Sequence, residues 1–188
     1  MKNDKIDILR TFIHNSNVKI YYEYNTENII VEGDIVIFNN ENIYSYFPVK
    51  IHKVIGNIYW AGDMDQIGIA GTLKSLINFP DIVTGDVYIC KNSGLKSLEG
   101  CPKEIGGNLQ FDYCNVSDIS GIAKVIGKNC IMNYNPITDL SPMVNVQISG
   151  IVSIVGTPAA KNDKEISYIP DSSIIVASES AQINYGEN

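Results

Sequence analysis

Four cysteines (Cys90, Cys101, Cys114, Cys130) and two histidines (His14, His52) are the side chains of this 188-residue chain best suited to redox, metal or nucleophilic chemistry. Their spacing does not assemble it. The cysteines stand 11, 13 and 16 positions apart. Zinc and redox sites place paired cysteines about two to four residues apart, because one tight loop must aim both sulfurs at one point. These four are expected to be buried free thiols. Neither histidine has a nucleophile or ligand partner nearby in sequence. His52, in KIHKVIG, is expected on the surface of a return leg.

Two loop-like motifs also fall short. Asp63-Met64-Asp65-Gln66-Ile67-Gly68 begins like a calcium loop, but Lys74 stands at the twelfth position, where a carboxylate must close the coordination. Gly68 to Ser75 is glycine-rich, yet Thr72 and Leu73 separate Gly71 from Lys74, so no phosphate loop forms. No GxSxG occurs. The expectation is a chain without catalytic residues, metal site or cofactor. An enzyme with an unrecognised site near residues 62–72 is the alternative.

The formal net charge of −7, with a single arginine (Arg10), opposes binding to nucleic acid or anionic membranes, both of which need a basic footprint. The start MKNDKIDILR has no apolar leader and no apolar run is long enough to span a bilayer, so a cytoplasmic protein is expected. Hydrophobic content of 45% suits one packed domain.

The elements that would position any site are repeats. Leu73 recurs as Leu95, Val116 and Ile137, at steps of 22, 21 and 21. A period of that length means stacked coils, none of which buries its apolar face alone. Strand pairs recur as Ile35/Ile37, Ile58/Trp60, Val87/Ile89, Leu109/Phe111, Cys130/Met132, Val152/Ile154 and, more weakly, Ile174/Val176. Two apolar residues two apart share one strand face. The residue that follows (Asn92, Cys114, Asn135) points inward, where an asparagine can satisfy buried amides. A second apolar pair follows each strand (Leu73/Leu76, Leu95/Leu98, Val116/Ile119, Ile137/Leu140), and glycines 85, 106, 107 and 127 turn the chain into the next coil.

The phrase LxLxxN/C, with LKSLEGCPKEIGGNLQFDYC as its fullest copy, resembles the leucine-rich-repeat family, and in particular its short phage and bacterial forms with cysteine and proline. The likeness covers about residues 33–160. It implies a β-rich repeat solenoid, a right-handed coil with one parallel sheet of about six to seven short strands. A parallel β-helix, built from coils of similar length, is the alternative. It also implies protein binding, with no catalytic residues to transfer. The phage forms suggest an accessory protein of a phage or mobile element that inhibits a host factor in the host cytoplasm.

A single domain is expected over 1–188, with a cap helix and strand in 1–32, repeats in 33–157, and a C-terminal cap and frayed tail in 158–188. Residues 2–13 read as the capping helix, with Asn3 or Asp4 as its N-cap. Segment 158–170 is expected to protect the last strand. Lys103 and Lys124 occupy equivalent repeat positions and are expected to form a solvated basic row.

The informative surface is the strand face turned away from the core. Its central column reads Val36, Tyr59, Tyr88, Gln110, Ile131, Ser153 and Ile175. Rigid aromatics ringed by polar groups make protein-binding hot spots. The expected partner-binding residues are Phe38, Tyr59, Tyr88, Asp86, Gln110, Asp112 and Ile131. The expected partner is a protein, and self-association through an edge strand is the structural alternative.

Overall fold

The computed structural model describes residues 2–13, 17–38, 45–61, 73–171 and 173–178, and within these the side chains of Lys2, Asn3, Phe38 and Ala61 are left undescribed. The 62–72 insertion, His14, Asn40, Ile43 and most of the C-terminal tail lie outside the described residues.

Helix α1 (Lys2–Phe12) opens the chain. Strands follow in order: β1 (Lys19–Tyr22), β2 (Ile29–Glu32), β3 (Ile35–Phe38), β4 (Lys53–Ile55), β5 (Ile58–Ala61), β6 (Ile82–Val83) and β7 (Val87–Cys90). Then come β8 (Glu104–Ile105), β9 (Leu109–Gln110), β10 (Val125–Ile126), β11 (Cys130–Ile131), β12 (Gln147–Ile148), β13 (Ile151–Ser153), the short helix α2 (Asp163–Ile166) and β14 (Ile174–Val176).

The chain is a β-solenoid. Each coil gives one strand to each of two sheets. One sheet runs β3-β5-β7-β9-β11-β13-β14, parallel throughout. This is the parallel sheet that the repeat phrase announces. The return legs, expected only to turn the chain, build another: β1-β2-β4-β6-β8-β10-β12, parallel except for the β1–β2 hairpin. From β4 onward its strands are short and each has a single buried residue, such as Val83, Ile105 or Ile126.

The core lies between the sheets as columns of like residues. Leu73, Leu95, Val116 and Ile137 form one, and Leu76, Leu98, Ile119 and Leu140 another; all are buried. Asn92 and Asn135 point inward as expected. Asn135 Oδ1 accepts the N–H of Cys114 (3.1 Å) and of Val116 (3.0 Å), and Nδ2 donates to the carbonyls of Phe111, Met132 and Asn133. Cys114 occupies the same column and imitates the amide, its thiol donating to Ile89 O (3.1 Å) and Asp112 O (3.3 Å).

Helix α1 closes the N-terminal end. Leu9, Phe12 and Ile13 enter the core, where Phe12, Phe47, Trp60 and Phe79 form an aromatic cluster with centroids 4.8–6.1 Å apart. The helix begins at Lys2, so Asn3 and Asp4 lie in its first turn rather than capping it; a carboxylate at Asp4 still favours the positive helix end.

The glycines of the return legs have another reason than the expected one. Positive φ is not needed at 85, 106, 107 or 127. A Cβ on Gly107 would collide with Asp86 Oδ1 and lie 2.8 Å from the backbone of Gly85 in the neighbouring coil. Close stacking of coils, not turn geometry, excludes a side chain there.

The last coil departs from the expected register. Val152 pairs with Ile175 and Ser153 with Val176. Ile175 therefore aligns with the inward column and Val176 with the outward one, the reverse of the expectation. The connection through Pro158–Lys161 and α2 makes this step 23 residues rather than 22. Segment 158–170 does not cover β14. It stacks on the preceding coil, with Ala159 N–H donating to Ile137 O (3.0 Å) and Leu140 N–H to Glu165 Oε2 (2.8 Å).

Candidate functional site

Parallel pairing places Val36, Tyr59, Tyr88, Gln110, Ile131 and Ser153 side by side across the all-parallel sheet that begins with β3. They face outward because they alternate with buried Ile35 and Ile37, Ile58 and Trp60, and Val87 and Ile89. Tyr59 and Tyr88 lean on one another, with centroids 6.3 Å apart at 49°. Gln110 and Ile131 continue the row, both half-buried. Phe38 stands on the same sheet with its backbone opposite Ala61; its side chain lies outside the described residues.

Asp86 and Asp112 flank this row, and both also hold the scaffold. At the strand starts, each Asx side chain accepts the N–H of the next coil. Asp34 Oδ1 takes Asn57 N–H (2.8 Å), Asn57 Oδ1 takes Asp86 N–H (2.7 Å) and Asp86 Oδ1 takes Asn108 N–H (2.7 Å). Asn108 Oδ1 then takes Asn129 N–H (3.1 Å), and Asn129 Oδ1 takes Ile151 N–H (2.8 Å). A second ladder runs at the strand ends. Asp112 Oδ1 accepts Asn133 N–H (2.8 Å), and Asn133 Oδ1 accepts Val155 N–H (2.8 Å). Gln110 Nε2 donates to Asp112 Oδ2 (2.6 Å). From Asp86 onward, the 21–22-residue recurrence of Asp and Asn is the sign of these ladders in the chain.

Burial raises the Asp112 carboxyl above its ordinary value, against the pull of Gln110 and the Asn133 amide. Burial also raises the Tyr59 phenol, with the charges of Asp34 and Asp86 adding to it. Tyr88 is pushed well up by burial, and then by Cys90 and Asp112. Both phenols stay neutral at physiological pH.

Two further clusters were not legible in the chain. Tyr113 and Tyr134 stack at 4.4 Å and 11°, remain 53% and 38% exposed, and edge a shallow groove of about 480 Å³ with Asn115, Pro136 and Pro158. On the other sheet, His52 Nδ1 lies 3.3 Å from Asp81 Oδ2, and Lys50 Nζ 3.1 Å from Asp81 Oδ1. Lys103 follows Asp81 through its N–H to Asp81 O (2.8 Å), and Lys124 follows Lys103 (2.9 Å). The expected basic row thus continues an ion-paired column that starts at His52.

Cys90, Cys114 and Cys130 are buried free thiols and Cys101 is half-buried. Burial pushes Cys90 up to about 11 and Cys101 and Cys114 to about 12, so they stay protonated and poorly nucleophilic. Among the described residues, no three His, Cys, Asp or Glu side chains gather to hold a metal, and no helix is long and apolar enough to cross a membrane.

No protein-family model, no curated protein and no solved structure matches the chain.

Proposed function

We propose that this chain is a non-catalytic binding module that grips a partner protein with the outward face of its all-parallel sheet. The observation that carries this reading is the row Tyr59, Tyr88, Gln110 and Ile131, held in register on a seven-stranded parallel sheet. Strands about 4.8 Å apart give a face roughly 30 Å long, and its side chains are fixed by the ladders beneath them. Rigid aromatics lose little entropy on contact, so they suit a hot spot. The likeness to short phage leucine-rich-repeat proteins extends the proposal to an accessory protein that inhibits a host factor in the host cytoplasm. That extension rests on analogy of sequence phrase alone.

The test is partner capture from the native host, compared between the unmodified chain and Tyr59→Ala/Tyr88→Ala. Loss of a specific captured protein, with the circular dichroism spectrum unchanged, is the expected result. Capture equal to that of the unmodified chain removes the strand face from consideration.

Self-association has its own supporting observation. Strand β14 is an edge with Ile174 62% and Ile175 37% exposed. An edge of that kind pairs readily with another chain. Sedimentation velocity separates the readings, since a concentration-independent monomer excludes the edge pairing.

A further inference from the structure

The charges around the coil are segregated. Asp34, Asp86 and Asp112 flank the tyrosine row of the all-parallel sheet, and both Asp34 and Asp86 lie close enough to Tyr59 to shift its phenol. Among the described outward positions of β3, β5, β7, β9, β11 and β13, none is lysine or arginine; Lys91 stands one residue past β7, at the turn, and Lys128 two residues before β11. Lys50, Lys53, Lys103, Lys124 and His52 all belong to the opposite sheet and its approaches.

Building on the proposed binding face, we infer that its occupant is a basic segment of a partner protein, whose arginine or lysine side chains lie over Tyr59 and Tyr88 and between Asp34, Asp86 and Asp112. A guanidinium on a tyrosine face gains from the ring quadrupole, and neighbouring carboxylates offer it charged hydrogen bonds. Each aspartate commits Oδ1 to a scaffold amide, but a carboxylate has about four acceptor sites, so the cation need not break the ladder. Burial leaves the Asp112 carboxylate under-solvated, so it gains from a counter-charge. An acidic segment would meet three carboxylates, with Lys91 and Lys128 at the margins as the nearest cations, and electrostatic mismatch of that kind disfavours a partner.

The ladder supplies a clean test. Asn57, Asn108, Asn129 and Asn133 already occupy the same ladder positions as the aspartates. Asp34→Asn/Asp86→Asn/Asp112→Asn therefore removes the charge and keeps the oxygen that accepts each amide. The probe is a synthetic peptide of alternating arginine and serine, with a glutamine-for-arginine peptide as its control, titrated by calorimetry. The arginine peptide is expected to bind, to weaken with added salt, and to lose about tenfold or more in affinity both in the triple asparagine variant and in Tyr59→Ala/Tyr88→Ala. The glutamine peptide is expected not to bind, and Asp118→Asn/Asp139→Asn, which alters carboxylates elsewhere, is expected to leave the affinity unchanged. No binding up to millimolar concentration overturns the inference, as does equal affinity in the triple variant. If both peptides bind equally and both are lost in the tyrosine variant, the basic partner falls and the binding face stands. If the tyrosine variant binds as the unmodified chain does, both fall.

Discussion

Tyr113 and Tyr134 stack face to face at 4.4 Å, and both backbones are left-handed, with φ of 54° and 55°. The conformation is uncommon for a bulky residue. It recurs through the coils at Lys91, Tyr113, Tyr134 and Gly156, at steps of 22, 21 and 22. The bend after each strand demands it, and the stacked rings help to offset its strain.

Gly156 ends that column under the ring of Tyr134. A Cβ there would lie 2.5 Å from Tyr134 Cδ1, on a backbone with φ of 71°. Gly156→Ala is expected to cost about 1–3 kcal/mol, from the left-handed penalty and the displaced ring. Urea unfolding measures it; a loss below a few tenths would mean that the column yields freely.

Asn135 holds five backbone groups of two successive coils. Asn135→Ala is expected to cost about 2–4 kcal/mol, because buried amides and carbonyls are left unpaired. Cys114→Asn, which restores the consensus of its column, is expected to cost less than about 1 kcal/mol. Equal losses in the two variants would contradict this account of the column.

Asp112 is a half-buried acid whose folded-state pKa is raised, so its ionisation opposes folding. Asp112→Asn is expected to be more stable than the unmodified chain at neutral pH. The advantage should shrink as pH falls through the raised pKa, and vanish below the unfolded carboxyl value, where Asp112 is protonated in both states. Melting temperatures of the two proteins across that range check the sign.

Asp81 behaves in the opposite sense. Burial pushes its carboxyl up, but Lys50, His52 and Lys103 together hold it below the ordinary value. Its contribution is present above the unfolded carboxyl pKa and is lost as pH falls through the depressed one. Asp81→Asn should flatten that part of the acid-unfolding profile. The pair with Lys50 is half-exposed, so salt should weaken the effect.

Trp60 is fully buried and, among the described residues, its Nε1–H has no hydrogen-bond acceptor. Trp60→Phe trades lost apolar area against release of an orphaned donor. The two are each about 1–3 kcal/mol, so a small net change is expected. A loss of more than about 3 kcal/mol would show that the indole N–H is satisfied, for instance by a ring face of its cluster.

Much of the solenoid is legible in the chain because its signals are local. The columns Leu73–Leu95–Val116–Ile137 and Val87–Leu109–Cys130–Val152 are a period of 21–22 written in apolar residues, and alternation alone turns Tyr59 and Tyr88 outward. The return-leg sheet was hidden because β4, β6, β8, β10 and β12 each bury a single residue, too few to show alternation. The final coil was misread because one extra residue shifts Ile174, Ile175 and Val176 by one place, and a one-residue slip exchanges the faces of a strand.

The sequence by itself therefore determined the stacked coil, its core columns, the inward asparagines and the outward aromatic row, since each follows from periodicity along one chain. Only the tertiary structure decided what meets between coils. It turned Asp34, Asp86 and Asp112 into ladder members, stacked Tyr113 on Tyr134, and brought Asp81 to His52 across 29 residues. Those contacts depend on the register of parallel strands and on return-leg lengths. Both are set by how whole coils pack, not by any neighbouring residues.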